Sequence, residues 1–148
     1  MINYQGLNEL AIILNENKIV WGIGGSYLLY IYGLYDDPAD LDIWIEPNDM
    51  CIVKRLFCEY EEIETNIQLP EEYHLKIKYQ DMEVDFVSCF IVTPNKRSFS
   101  YHISPDTIKY IKMQNGVEIP CTLLEDWYLI YKVLYLHLLY NLVYILLL

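Results

Sequence analysis

Two short stretches of this chain carry residue types and spacings suited to phosphate and metal chemistry. The first is the turn Gly24-Gly25-Ser26, which follows the short apolar run Ile19-Val20-Trp21. A backbone without side chains can approach an anion closely and turn its N–H groups toward phosphate oxygens. The second is the alternating run Asp40-Leu41-Asp42-Ile43-Trp44-Ile45-Glu46. Residues two apart on a strand share a face, so Asp40 and Asp42 project together while Leu41, Ile43 and Ile45 project the other way. Carboxylates held side by side repel one another and call for a cation between them. Hard divalent ions such as magnesium take oxygen ligands of this kind and bridge them to substrate phosphates. A helix-like segment joins the two stretches, and together they read as a nucleotide–metal site.

The ordered set resembles the nucleotidyltransferase superfamily that includes DNA polymerase beta, and its small stand-alone members in particular. The matching residues are Gly24, Gly25 and Ser26, followed by Asp40 and Asp42 on a strand, with a third carboxylate, Asp85, in the later run Glu83-Val84-Asp85-Phe86-Val87. The likeness spans roughly residues 5–132, although only these three pieces are specific. It implies an α/β (α+β) fold, a mixed sheet flanked by helices. It also implies a metal-dependent transfer of NMP from an NTP to a hydroxyl of an acceptor, a small molecule or a protein. Asp40 and Asp42 would hold Mg2+ on the triphosphate, and with Asp85 a second ion, the two about 3.5–4 Å apart as in other two-metal sites. Gly25 and Ser26 would meet the phosphates of the NTP. In many small members a lysine on a late helix approaches the nucleotide phosphates; here Lys132 is the candidate, and it reads equally as an exposed helix lysine. The contrasting implication is a non-catalytic nucleotide-binding or interaction module of the same fold, one half of a toxin–antitoxin pair for example.

Composition limits the partners. A chain of 148 residues suits a single domain with a core of its own, and 54% hydrophobic with 21% charged residues is globular. The net charge of -11 speaks against an extended grip on nucleic acid, which needs clustered Lys and Arg. It favours a cationic acceptor such as an aminoglycoside on electrostatic grounds. Drug-modifying relatives generally carry a larger second domain, however, so a protein acceptor stays open. Cys51, Cys58, Cys89 and Cys121 show no metal or redox spacing, and no signal peptide opens the chain, so a reduced, cytoplasmic protein is expected. His74, His102 and His137 lie far apart and read as ordinary surface or core histidines.

The elements that must position the site follow in order. Leu7, Leu10, Ala11 and Leu14 recur at helical spacing over residues 5–16, and Lys18–Trp21 reads as a short buried strand. A helix from Gly25 to Tyr32 stops at Gly33. Asp36 and Asp37, beside Pro38, read as solvated loop carboxylates rather than further metal ligands. Asn48-Asp49 are placed to cap a helix running to about Tyr60, with a solvated acidic end after it. The alternating runs His74–Tyr79 and Met82–Phe90, separated by Gln80-Asp81, form a hairpin that puts Glu83 and Asp85 on the face opposite Met82, Val84 and Phe86. A second hairpin is expected over Thr107–Lys112 and Val117–Pro120, around Asn115-Gly116. Thr122, with Glu125 three positions on, is placed as a capping box for a last helix carrying Trp127, Ile130, Tyr131 and Leu134 on one side.

From Val133 to Leu148 the chain is nearly all Leu, Tyr, Val and Ile, interrupted by His137 and Asn141. This departs from relatives, which continue with charged residues. It is shorter than the roughly 20 apolar residues a membrane span needs, so 122–148 is expected to be a helix docked on the domain or forming a homo-oligomer contact. A truncated or altered reading frame would write the same stretch.

Overall fold

The computed structural model describes residues 2–65, 70–92 and 96–133. The first helix, α1 (Tyr4–Glu16), buries Leu7, Leu10, Ala11 and Leu14, and Asn3 caps it by accepting from the N–H groups of Gln5 and Gly6. A left-handed Lys18, at φ 55°, turns the chain into β1 (Trp21–Ile23). The strand therefore begins and ends later than the apolar run suggested. Helix α2 (Gly25–Ile31) follows without a break, and Gly33, at φ +70°, lets the chain leave it. Strand β2 (Leu41–Ile45) then leads through a 3-10 turn into α3 (Met50–Leu56).

Helix α3 stops well before Tyr60, and Asp49 holds its N-cap position without a capping hydrogen bond from its side chain. Its Oδ2 accepts instead from the Val20 N–H at 2.8 Å, tying the start of the helix to the residue ahead of β1. The hairpin of β3 (His74–Tyr79) and β4 (Met82–Val87) closes on Gln80 and Asp81, both left-handed at φ 46° and 65°. That pair of conformations matches the twist of the strands it joins. Beyond Ser88 the chain leaves the main sheet. Strands β5 (Phe90–Val92) and β6 (Phe99–Tyr101) pair with each other in a small second sheet. The Asn115-Gly116 turn, at φ 50° and 79°, joins β7 (Tyr110–Gln114) to β8 (Val117–Cys121), both offset from the expected bounds. Helix α4 (Leu124–Val133) closes the described chain; the remainder of the expected 122–148 helix, 134–148, and its oligomer contact lie outside the described residues.

The main sheet has the order β3-β4-β2-β1-β8-β7 and mixes both pairings: β2/β4 and β1/β8 run parallel, the other neighbours antiparallel. One face carries the core of Leu41, Ile43, Val84, Phe86 and Ile77, each under 2 % exposed. Phe57, at the end of α3, stacks against Phe86 with ring centroids 5.1 Å apart. Gly6 of α1 leaves room for the Met82 side chain. The other face receives α4, through Trp127 packed edge-on against Trp44. This is the mixed α+β architecture expected from the sequence, with helices flanking a six-stranded sheet. Among the described residues no helix is long and apolar enough to cross a membrane.

Thr122 has a different task from the expected capping box, because α4 starts two residues later. Its buried hydroxyl donates to the Ile23 carbonyl and accepts from the Trp127 indole N–H, both at 2.8 Å. That one group pins α4 to the end of β1, beside the glycine turn. Thr122→Val keeps the shape and strands the indole donor, which should cost about 1–3 kcal/mol in chemical denaturation. A cost within experimental error of zero would mean that Trp127 is held by packing alone.

Candidate active site

The register of three strands builds the site. In the parallel pair of β2 and β4, Asp42 stands opposite Asp85, and in the antiparallel pair of β3 and β4, Lys76 stands opposite Asp85. Residues directly opposite each other in a sheet project from the same face. Lys76, Asp85 and Asp42 therefore form a row across three strands. Asp40, the residue just ahead of β2, extends the acidic edge, and His74 flanks the row on β3. The apolar residues between them face the core, so the same alternation that buries Leu41, Ile43, Val84 and Phe86 brings the acids together on the opposite face.

The glycine turn fits against this row. The Gly24 N–H donates to the Asp42 carbonyl at 2.9 Å, and the Ser26 N–H donates to the Asp42 carboxylate. Gly25 sits at φ +56°, and a Cβ built there would fall 1.7 Å from Asp42 Oδ2. At Gly24 a Cβ would fall 2.3 Å from Trp127 Cζ2 and 2.6 Å from Trp44 Cδ1. Each glycine thus has its own steric reason: Gly24 admits the two indoles, and Gly25 admits the carboxylate.

Charge is distributed unevenly over the three acids. Asp85 is only 4% exposed, and its Oδ1 meets His74 Nε2 at 2.5 Å. The Lys76 ammonium lies 3.5 Å from Asp40 Oδ2 and 2.9 Å from Glu83 Oε2. Asp42, half-buried between them, makes no ion pair among the described residues. Desolvation first, then repulsion from Asp40 and Asp85, pushes its carboxyl up to about 7, against smaller lowering effects from Lys76 and the Ser26 N–H. Tyr131 reaches in from α4. Burial first, and then the charge on Asp42, raises its hydroxyl well above the usual phenol range.

The structure thus gathers Asp40, Asp42 and Asp85 with Gly24, Gly25 and Ser26. It does not bring Lys132 to them. That side chain is exposed, its ammonium 6.0 Å from the centroid of the Tyr128 ring, while Tyr131 takes the inward position. Among the described residues the side chains paired with the acids are Lys76 and His74, neither of which was singled out from sequence. His74, read there as an ordinary histidine, is hydrogen-bonded to one of the three acids. The sequence held the signal for both. A two-residue turn at Gln80-Asp81 fixes the hairpin register, and that register sets Lys76 across from Asp85 with His74 one step along the same face.

No protein-family model and no curated protein sequence matches the chain. Solved structures do match it. One is TM1012 from Thermotoga maritima, provisionally described as a nucleotidyltransferase, at 19% identity and a TM-score of 0.68, covering 90% of this chain and 87% of its own. Another is the lincosamide antibiotic adenylyltransferase LnuA with lincomycin bound, at 12% identity and a TM-score of 0.63, covering 96% of both chains. A third is ANT(2″)-Ia in complex with adenylyl-2″-tobramycin, at 13% identity and a TM-score of 0.55, covering 95% of this chain and 88% of that one. The chain has the polymerase-beta-like nucleotidyltransferase fold.

Proposed function

We propose that this protein is a nucleotidyltransferase that moves an NMP group from an NTP to a hydroxyl of an acceptor. The observation that carries this reading is the register that sets Asp42 opposite Asp85 beside a turn whose Gly25 has room for nothing but hydrogen. Solved structures of the same fold include enzymes described as adenylyltransferases of antibiotics, which supports a small-molecule acceptor here. The net charge of -11 favours a cationic one.

The reading requires a divalent cation, and the donors suit one. All three side chains offer hard carboxylate oxygens, and burial together with repulsion from Asp40 and Asp85 raises the pKa of Asp42. Among the described residues, no three His, Cys, Asp or Glu side chains are drawn together tightly enough to hold a metal as they stand. Asp40, Asp42 and Asp85 would hold Mg2+, one ion or two, which when bound neutralises charge on the phosphates during an in-line displacement. The chain's own residues account for the rest. Gly25 and Ser26 would face the phosphate oxygens with N–H and hydroxyl donors. Asp85 would take the acceptor's proton on Oδ2, the oxygen that His74 leaves free. The acceptor oxygen bonds to the alpha phosphorus, and the bond to pyrophosphate breaks.

A second reading has its own support. With Lys76 on Asp40 and His74 on Asp85, two of the three acids already have cationic or donor partners, as a non-catalytic nucleotide-binding module would allow. One experiment separates the two. The full chain is incubated with each alpha-labelled NTP, Mg2+ and, in parallel, cell extract, aminoglycosides or lincosamides. Label transfer that falls more than about a hundredfold in Asp42→Asn, beyond the usual cost of losing a metal ligand's hydrogen-bonding neighbour, supports the enzyme. Binding of Mg-NTP without transfer in every mixture supports the module. A bound nucleotide should also stabilise the fold, by roughly 2.7 kcal/mol at a hundredfold excess over Kd.

A further inference from the structure

We propose that His74 is a positioning residue for Asp85, a role that rests on the nucleotidyltransferase reading above. In this role the Nε2–H of His74 donates to Asp85 Oδ1 and leaves Oδ2 aimed across the sheet at Asp42. Three observations converge on it. The contact is short, 2.5 Å between Nε2 and Oδ1, and both side chains are largely buried, at 11% and 5% exposure. Lys76 stands directly across the ladder from Asp85, yet its ammonium pairs with Asp40 and Glu83. The hydrogen bond holding the Asp85 carboxylate among the described residues is therefore the one from His74. The strand order β3-β4-β2 completes the geometry. His74 approaches Asp85 from β3, and Asp42 stands across from Asp85 on its other side, on β2.

The chemical consequence is alignment. A carboxylate free to rotate presents either oxygen, or neither, to a shared cation or an incoming hydroxyl, whereas one held by a fixed donor presents a single oxygen in one direction. Imidazole suits the task better than a second lysine. It supplies one directional donor without a permanent positive charge that would compete with a cation between the acids.

The test compares the full-length wild type with His74→Gln and His74→Leu. A glutamine amide nitrogen sits close to where Nε2 does and keeps the donor; leucine removes it. Mn2+ alone is the probe, its free fraction read by electron paramagnetic resonance, with melting temperature followed in parallel. His74→Leu should weaken Mn2+ binding by about 10–100-fold, the usual cost of losing a partner that orients a metal ligand. His74→Gln should recover most of that loss. Equal affinity in all three proteins overturns the proposal, and so does a glutamine variant as weak as the leucine one. A second measurement needs no metal. Long-range 1H–15N spectra of the wild type should show His74 protonated on Nε2, and an Nδ1–H ring overturns the donor assignment outright. A wild type that leaves Mn2+ free, with the Nε2–H ring intact, instead sinks the metal-dependent reading of the site and the alignment role with it.

Discussion

Replacing Gly25 with alanine should lower the stability of the fold by about 3–5 kcal/mol and abolish the response to Mg-NTP. Two costs combine. The left-handed conformation at φ +56° is unfavourable for any side chain. The new methyl would also overlap Asp42, whose Oδ2 lies 1.7 Å from the Cβ position. Asp42 has little freedom to withdraw, since its carbonyl accepts from the Gly24 N–H and its carboxylate from the Ser26 N–H. Gly33 supplies an internal control. It too is left-handed, at φ +70°, but a Cβ there meets nothing within 4 Å. Gly33→Ala should therefore cost only the conformational part, about 1–2 kcal/mol. Urea denaturation of both variants isolates the contact with Asp42 as the difference between them. Equal losses would show that the turn does not press on that carboxylate.

The second prediction concerns pH. Folding moves the Asp42 carboxyl from the ordinary range near 3.8 up to about 7. The folded state thus holds a proton that the unfolded chain releases, and stability falls as pH rises between those two values. Below the lower value both states are protonated and nothing is lost; above the upper one the full penalty applies. Asp42→Asn removes the charge and keeps an oxygen that can accept from the Ser26 N–H. In metal-free buffer the variant should match the wild type near pH 4 and exceed it at pH 8 by about 2 kcal/mol. That figure lies below the full conversion of the shift because the surroundings of the charged carboxylate can relax. Divalent cations should narrow the gap by stabilising the wild type alone. A variant that is less stable than wild type at pH 8 would show that Asp42 is not strained by its neighbours.

The two predictions use opposite sides of one arrangement. The Asp42 carboxylate is held by backbone donors and crowded by other acids, so the fold is stabilised by its geometry and destabilised by its charge. Such a group is suited to bind a cation, because the electrostatic cost falls when the cation arrives. Lys76 pairs with Asp40 and His74 with Asp85, while Asp42 is raised by burial and by the two neighbouring acids.

Much of this site was legible in the chain, wherever the deciding physics acts over a few residues. Alternation placed Asp40 and Asp42 on one face and Glu83 with Asp85 on one face, because the strand repeat is two and the apolar partners seek the core. Glycine at positions 24 and 25 marked a turn that approaches something closely. Asn115-Gly116 and Gln80-Asp81 marked tight hairpins, and helical spacing put Trp127, Ile130 and Tyr131 on one side of α4. The same helical spacing turns Lys132 away from the inward-facing Tyr131, so its exposure follows from the pattern as well. Local capping signals were weaker guides. Asp49 and Thr122 carry good capping side chains, yet each fastens a helix to one end of β1, Asp49 through the Val20 N–H just ahead of it and Thr122 through the Ile23 carbonyl.

What the sequence by itself determined, then, is which residues share a face within each strand and where the chain must turn, since sterics and pattern settle those locally. Only the tertiary structure decided that β4 lies parallel beside β2 in the register that sets Asp85 opposite Asp42. Pairing between strands so distant in sequence depends on how the whole apolar face of Leu41, Ile43, Val84 and Phe86 is buried, and no single segment carries that information. The packing that buries those side chains is also what gathers the acids on the other side of the sheet.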